Sequence, residues 1–285
     1  MFIKHRKWWY IISLVLIIPG IFSLFTQGLN LGIDFTGGSM YSIRTESAVT
    51  VAQVRTSVDQ LKLDKEPIIQ KSGNNEFIIR TVELNQAQSD QLVTGLKKDL
   101  GKIDLLRAEK VGPVIGDELR TKAFLSLLVA SLLMLIYITV RFEIKYGVAA
   151  IISLLHDCLF VVGVFSLFQW EVDSAFIAAI LTILGYSIND TIIIFDRIRE
   201  NQRVNMRKEK DLAVIADTSI WQTLTRSINT VLTVIFVLIG LLIFGGATLQ
   251  YFVLALLIGF SVGCYSSIFV ASPIWYDLNR LADSK

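Results

Sequence analysis

Cysteine is nearly absent from this chain: two of 285 residues, Cys158 and Cys264, both inside apolar runs. There is no CxxC pair and no disulfide framework, and each cysteine is expected to be a small buried residue. Histidine is equally scarce, at two residues. Charge is thin at 18%, and the net charge is only +2. No basic patch with interleaved aromatics stands out, which argues against nucleic acid as a partner. What remains is apolar: 53% of residues are hydrophobic and the mean hydropathy is +0.57, too high for an ordinary soluble domain of this size.

Apolar runs of about 20 residues mark membrane helices. Six are present: Trp8 to Gln27, Thr121 to Val140, Tyr146 to Phe168, Ser174 to Phe195, Ser227 to Phe244 and Tyr251 to Pro273. The first follows Lys4, Arg6 and Lys7 but lacks a small-residue cleavage site, so it reads as a retained anchor. Lys and Arg cluster at the N-terminus, at Arg141 and Lys145, and at Arg197, Arg199, Arg203, Arg207, Lys208 and Lys210, while the short loops 169–173 and 245–250 have none. This bias places both termini in the cytoplasm.

The segment from Gly37 to Gly112 changes character. Strand-like stretches around "SMYSIRTE", "EPIIQK", "EFIIRTVE" and Lys102 to Val111 alternate with two helical patterns. The patterns are Val51, Val54, Val58 and Leu61, and then Leu92, Leu96 and Leu100 after Asn85. A turn signal, Ser72-Gly73-Asn74-Asn75, separates the middle strands. The order β-α-β-β-α-β is that of a ferredoxin-like split unit. With no histidine, no cysteine and no phosphate loop, this insert is expected to be a binding surface or moving arm rather than a catalytic pocket. The domain plan is therefore a first span with a cytoplasmic N-terminus (1–28), an extracytoplasmic α+β domain (29–120), a five-helix bundle with a cytoplasmic loop at 196–226 (121–273), and a cytoplasmic tail (274–285).

Polar residues inside the spans carry the functional signal. Asp157, beside His156, lies mid-span; Asn189 and Asp190 lie in the cytoplasmic half of span four; Arg226 opens span five. A carboxylate near a membrane-helix centre costs roughly 2.5 to 3.5 kcal/mol, so such residues usually mark proton or ion pathways. Opposite span directions bring Asp190 and Arg226 to similar depth, which suggests an ion pair. Burial raises a carboxylate's pKa and a nearby guanidinium lowers it, so altering such a pair loads or releases a proton. One charge crossing 100 mV is worth about 2.3 kcal/mol, enough to bias a two-state element. An intramembrane protease does not fit, because the residues before Asp190 are Gly185-Tyr186-Ser187-Ile188-Asn189 rather than Gly-x-Gly. The pattern Gly259-x-x-x-Gly263 in the last span is a packing signal.

Five motifs together resemble the SecF branch of the SecD/SecF family, within the resistance-nodulation-division superfamily. They are "LGIDFTGG" (Leu31 to Gly38), "VGPVIGDELR" (Val111 to Arg120), "HD" (His156-Asp157), "GYSINDTIIIFDRIREN" (Gly185 to Asn201) and "TLTRSINT" (Thr223 to Thr230). The resemblance implies six spans that pair, about a pseudo-twofold axis, with six from a SecD-type subunit expected as a separate chain. It further implies association with the SecYEG channel in the bacterial cytoplasmic membrane and use of the proton-motive force to help an emerging secretory protein. Asp190 and Arg226 match positions implicated in proton conduction, and Asp157 matches the histidine-aspartate motif. No cofactor and no enzymatic activity are implied; the coupling ion is a proton, with sodium as the alternative. Val231 and Val234 stand where relatives often carry Ser or Thr, so a polar relay on that face is expected to be thin. The competing functions are a passive scaffold and a small-molecule exporter of the same broad fold.

Overall fold

In the computed structural model, all residues are described except 62, 64, 65, 72–74, 206–210, 284 and 285. The turn expected at Ser72-Gly73-Asn74 and the basic residues Arg207, Lys208 and Lys210 lie outside the described residues. In chain order the first elements are α1 (Arg6–Thr26), β1 (Asn30–Leu31), α2 (Ile33–Thr36), β2 (Gly38–Thr45), α3 (Val51–Asp59), β3 (Ile68–Lys71), β4 (Glu76–Thr81), α4 (Gln86–Leu100) and β5 (Ile103–Val111). They are followed by α5 (Pro113–Arg141), α6 (Ile144–Leu167), β6 (Glu171–Val172), α7 (Ser174–Asn205), α8 (Leu212–Phe244), α9 (Gln250–Ser266), a π-helical turn (Ser267–Ala271) and α10 (Ser272–Asp283). Contacts divide the chain into two units, Leu31–Phe124 and Met1–Asn30 with Leu125–Lys285.

The Leu31–Phe124 unit has the β-α-β-β-α-β order that the periodicity predicts. Its antiparallel sheet runs β3-β4-β2-β5, with Tyr41 opposite Ile79 on one side and Ala108 on the other. Val54 and Val58 of α3 and Leu92 and Leu96 of α4 are buried against Tyr41, Ile43, Phe77 and Ile79. Both helices begin in capping boxes, Thr50 with Gln53 and Asn85 with Gln88, which satisfy amides that the first turn leaves unpaired. Gly37 and Gly38 have φ of 69° and 127°. A Cβ on Gly38 would stand 2.4 Å from the Thr81 carbonyl, so β2 meets β4 this closely only with glycine there. Gly116 packs against the Gly37 amide, bringing together the two glycine motifs that bracket the insert.

The chain is a multi-pass membrane protein: among the described residues, six helices are long and apolar enough to cross a bilayer. Close glycine contacts hold several of them together. A Cβ on Gly20 of α1 would fall 2.7 Å from the Gly163 Cα of α6, and one on Gly263 of α9 would fall 3.1 Å from Ser187 Cβ of α7. Small residues at these crossings let backbones approach, as helix association in lipid requires. Cys158 and Cys264 are free and half-buried rather than fully buried.

The helices overrun the apolar runs. Residues 196–226, expected as a loop, are helical from 196 to Asn205 in α7 and again from Leu212 in α8. Hydropathy marks only the part of a helix that crosses lipid, whereas here the helices continue because their polar side chains pair. Asn201 Nδ2 donates to Ser219 Oγ and to Gln222 Oε1, both at 2.8 Å, and Arg197 Nε donates to Gln222 Oε1 at 2.6 Å. Nor is 274–285 a free tail, since α10 extends to Asp283 and buries Trp275. Arg6 Nε and Tyr10 Oη both donate to the Asp277 carboxylate, at 2.8 and 3.1 Å, tying α10 to α1.

Candidate functional site

α6, α7 and the α9 π turn meet along a polar seam inside an otherwise apolar bundle. At its centre is Asp157, with no exposed surface. Its Oδ2 accepts hydrogen bonds from Ser187 Oγ at 2.6 Å and Ser266 Oγ at 2.8 Å. His156 Nδ1 lies 3.0 Å from Oδ1 and donates to it in the tautomer that carries the proton on Nδ1. Three donors from α6, α7 and α9 thus converge on one side chain, which is how a buried polar group is made tolerable. His156 Nε2 and Ser153 Oγ are buried without a partner among the described residues.

One helical turn beyond Ser187, on the same face of α7, stand Asp190 and Thr191. Thr191 Oγ1 and Ser267 Oγ are 2.8 Å apart, and Ser267 Oγ lies 2.9 Å from the Gly263 carbonyl. With the Ser267 proton directed to that carbonyl, Thr191 supplies the proton between the two hydroxyls. Ser272 Oγ donates to the Ser267 carbonyl at 3.0 Å, a five-residue reach that matches the widened turn. The π turn ends two residues before Pro273, whose ring would clash with a carbonyl of an unbroken α-helix.

Asp190 is buried, and its Oδ1 accepts from Ser227 Oγ of α8 at 2.6 Å. Its Oδ2 is buried with no partner among the described residues. The two aspartates therefore differ: Asp157 is enclosed by donors, and Asp190 has one oxygen held and one open.

The ion pair expected between Asp190 and Arg226 is not formed among the described residues. Arg226 is exposed, and its neighbour Ser227 takes the aspartate instead. Consecutive helical residues project about 100° apart, so seating Ser227 on Asp190 turns Arg226 outward. For the same reason Asn189 is exposed and does not join the seam. His156, Asp157 and Asp190 do line it. The hydroxyls of Ser187, Thr191, Ser227, Ser266 and Ser267 were not anticipated as site residues. Ser187 and Thr191 share a face with Asp190, at helical spacing, and that was the signal available. Val231 is buried on α8 one turn beyond Ser227, so α8 presents an apolar residue there.

These features define a class: a multi-pass membrane protein with buried carboxylates in a helical bundle and an inserted α+β domain. Comparison with known proteins narrows it. Residues 91–281 match the family model "Protein export membrane protein SecD/SecF, C-terminal", and residues 22–49 match the SecD/SecF GG motif, which includes Gly37 and Gly38. The chain is 44% identical over 284 residues to the protein translocase subunit SecF of Sebaldella termitidis, covering 97% of this chain and 91% of that one. It is 41% identical to the translocase subunit SecDF of Bacillus subtilis, covering 96% of this chain and 37% of that longer one. Among solved structures, SecDF of Thermus thermophilus, a translocon-associated membrane protein, superposes with a TM-score of 0.91 at 36% identity, over 98% of this chain and 38% of that one. A SecDF crystal structure in a super-membrane-facing form gives 0.73 over 99% of this chain and 39% of that one. The chain belongs to the SecD/SecF family of protein-export membrane proteins, and it aligns along nearly its whole length with the SecF subunits.

Proposed function

We propose that this chain works as the SecF-type subunit of a bacterial export complex in the cytoplasmic membrane, with both termini in the cytoplasm. It pairs there with a SecD-type subunit, associates with the SecYEG channel and uses the proton-motive force to promote emergence of secretory proteins. The fused SecDF relatives support the SecD-type partner. The excess of Lys and Arg at one membrane side supports the orientation.

The observation that carries the coupling step is the asymmetry of Asp190. Its Oδ1 is anchored by Ser227, while Oδ2 is buried without a partner among the described residues. A proton arriving at Oδ2 neutralises the carboxylate without displacing the helix that holds it. The Ser227 hydrogen bond, charge-assisted beforehand, loses roughly half its strength, and α7 is then less firmly held to α8. Arg226, exposed beside Ser227, supplies a positive charge that discourages other cations from the path. The coupling ion in this reading is the proton, with sodium as the alternative. The role requires no cofactor and no catalytic step, and the α+β unit is the moving arm.

The test is the proton-motive-force dependence of secretory-protein export in wild type and Asp190→Asn, at matched expression and confirmed assembly. Loss of the force-dependent component supports coupling through Asp190. Unchanged export with unchanged force dependence would leave Asp190 as part of a static scaffold.

A further inference from the structure

At the end of the bundle that the proposed orientation puts in the cytoplasm, α5 and α7 enclose a cleft of about 540 Å³ lined by Arg141, Asp196, Arg199, Glu200, Arg203 and Val204. Its positive charges are organised. Arg199 and Arg203 are four residues apart on α7 and so share a face. Arg199 Nη1 donates to the Arg141 carbonyl at 3.3 Å, near the end of α5. The Arg141 and Arg199 guanidinium carbons lie 5.5 and 6.0 Å from the centre of the Phe142 ring, so one aromatic ring holds two like charges close together.

The acidic residues in the wall do not cancel them. Glu200 is taken by Arg197 at 2.6 Å, and Asp196 reaches Arg141 only at 4.0 Å with half its side chain exposed. Among the described residues, three guanidiniums therefore face a single loosely engaged carboxylate. A cluster of this kind is matched by an anion with several oxygens, and phosphate is the anion whose geometry the guanidinium fork fits.

A second observation identifies what carries the phosphate. From the cleft, α5 presents Val140, Tyr137 and Leu133 along one face, at 83%, 57% and 61% exposure, and Val204 at the cleft itself is 72% exposed. Apolar side chains leading away from a phosphate-binding cluster suit an acyl chain below a headgroup. We propose that this cleft is a binding site for an anionic phospholipid, with its phosphate between Arg141, Arg199 and Arg203 and an acyl chain along α5. The site rests on the orientation proposed above, which sets its leaflet. Its test reads lipid binding directly, so its outcome is separate from that of the export experiment.

The full chain is reconstituted in phosphatidylcholine vesicles doped with spin-labelled phosphatidylglycerol or, for reference, spin-labelled phosphatidylcholine, and the association constant of each is taken from the motionally restricted fraction. Wild type should prefer phosphatidylglycerol. Arg199→Gln with Arg203→Gln should reduce that preference about 25-fold, since each basic residue near the surface contributes about fivefold. Lys4→Gln with Lys7→Gln removes the same charge from the same membrane side but not from the cleft, and should reduce the preference clearly less than the arginine variant does. If the double arginine variant does not assemble, Arg203→Gln alone should show about a fivefold reduction. Equal losses in the arginine and lysine variants, or no preference in wild type, would overturn the site. Displacement of the lipid by excess inorganic phosphate would overturn it in favour of a free-anion site.

Discussion

Asp157 on α6 and Ser187 on α7 share a 2.6 Å hydrogen bond, and both side chains are buried. Ser187 is one helical turn before Asp190, so this bond sets the rotation of α7 that directs Asp190 toward Ser227. A residue in the histidine-aspartate motif thus positions the residue of the asparagine-aspartate motif without touching it.

Asp157→Ala should be the most destabilising single change in the bundle. It leaves the His156 and Ser187 donors buried without an acceptor, at about 1–3 kcal/mol each, and returns Ser266 to its weaker contact with the Gly263 carbonyl at 3.1 Å. Thermal unfolding of the purified chain in detergent should show it melting well below both wild type and Asp190→Asn. A wild-type melting curve for Asp157→Ala would contradict the hub.

Ser227→Ala removes the hydroxyl that anchors Asp190 and should cost roughly 1–3 kcal/mol. Ser227→Thr keeps the hydroxyl and should retain force-dependent export that Ser227→Ala loses in part. Equal export by the two variants would show that the α8 hydroxyl is dispensable.

Gly263→Val should separate α9 from α7, because its Cβ alone already meets Ser187 Cβ at 3.1 Å. Overpacking of this kind costs about 1–3 kcal/mol. Backbone amides of 187–191 and 263–267 should exchange hydrogen faster than in wild type, with α1 unaffected. Unchanged exchange in both segments would count against the close crossing.

Thr50→Ala and Asn85→Ala each remove half of a capping box and should cost about 1 kcal/mol in α3 and α4 respectively. Measured by hydrogen exchange on the full chain, protection of 51–59 or 86–100 should drop about fivefold while the membrane helices keep theirs. Loss of protection throughout the chain would mean that the caps matter beyond their own helices.

The α+β unit was legible almost residue by residue, since a single buried face imposes period on the sequence: Val54 and Val58, then Leu92 and Leu96, fall where the pattern put them. The spans were equally clear in number and unclear at their ends, because hydropathy stops at the lipid boundary and helices do not. Asp157 and Asp190 announced themselves through the cost of a carboxylate in lipid. Their serine partners did not, since a hydroxyl is cheap in a membrane helix and its partner depends on helix rotation. Arg226 lies on the expected helix but is exposed, and Ser227, one residue further on, makes the hydrogen bond to Asp190. Nothing in the composition of 267–271 distinguishes a π turn from an α turn.

That turn has a consequence for the far end of the chain. A π turn holds one residue more than the α turn it replaces, and one residue corresponds to about 100° of rotation and 1.5 Å of rise. Every side chain after Ala271 is consequently out of phase with α9 by that step. The phase brings Asp277 round to Arg6 and Tyr10 and turns Trp275 inward. The last helix is thereby clocked by a single surplus residue beside the buried serines, and the contact of Asp277 with Arg6 and Tyr10 depends on that phase.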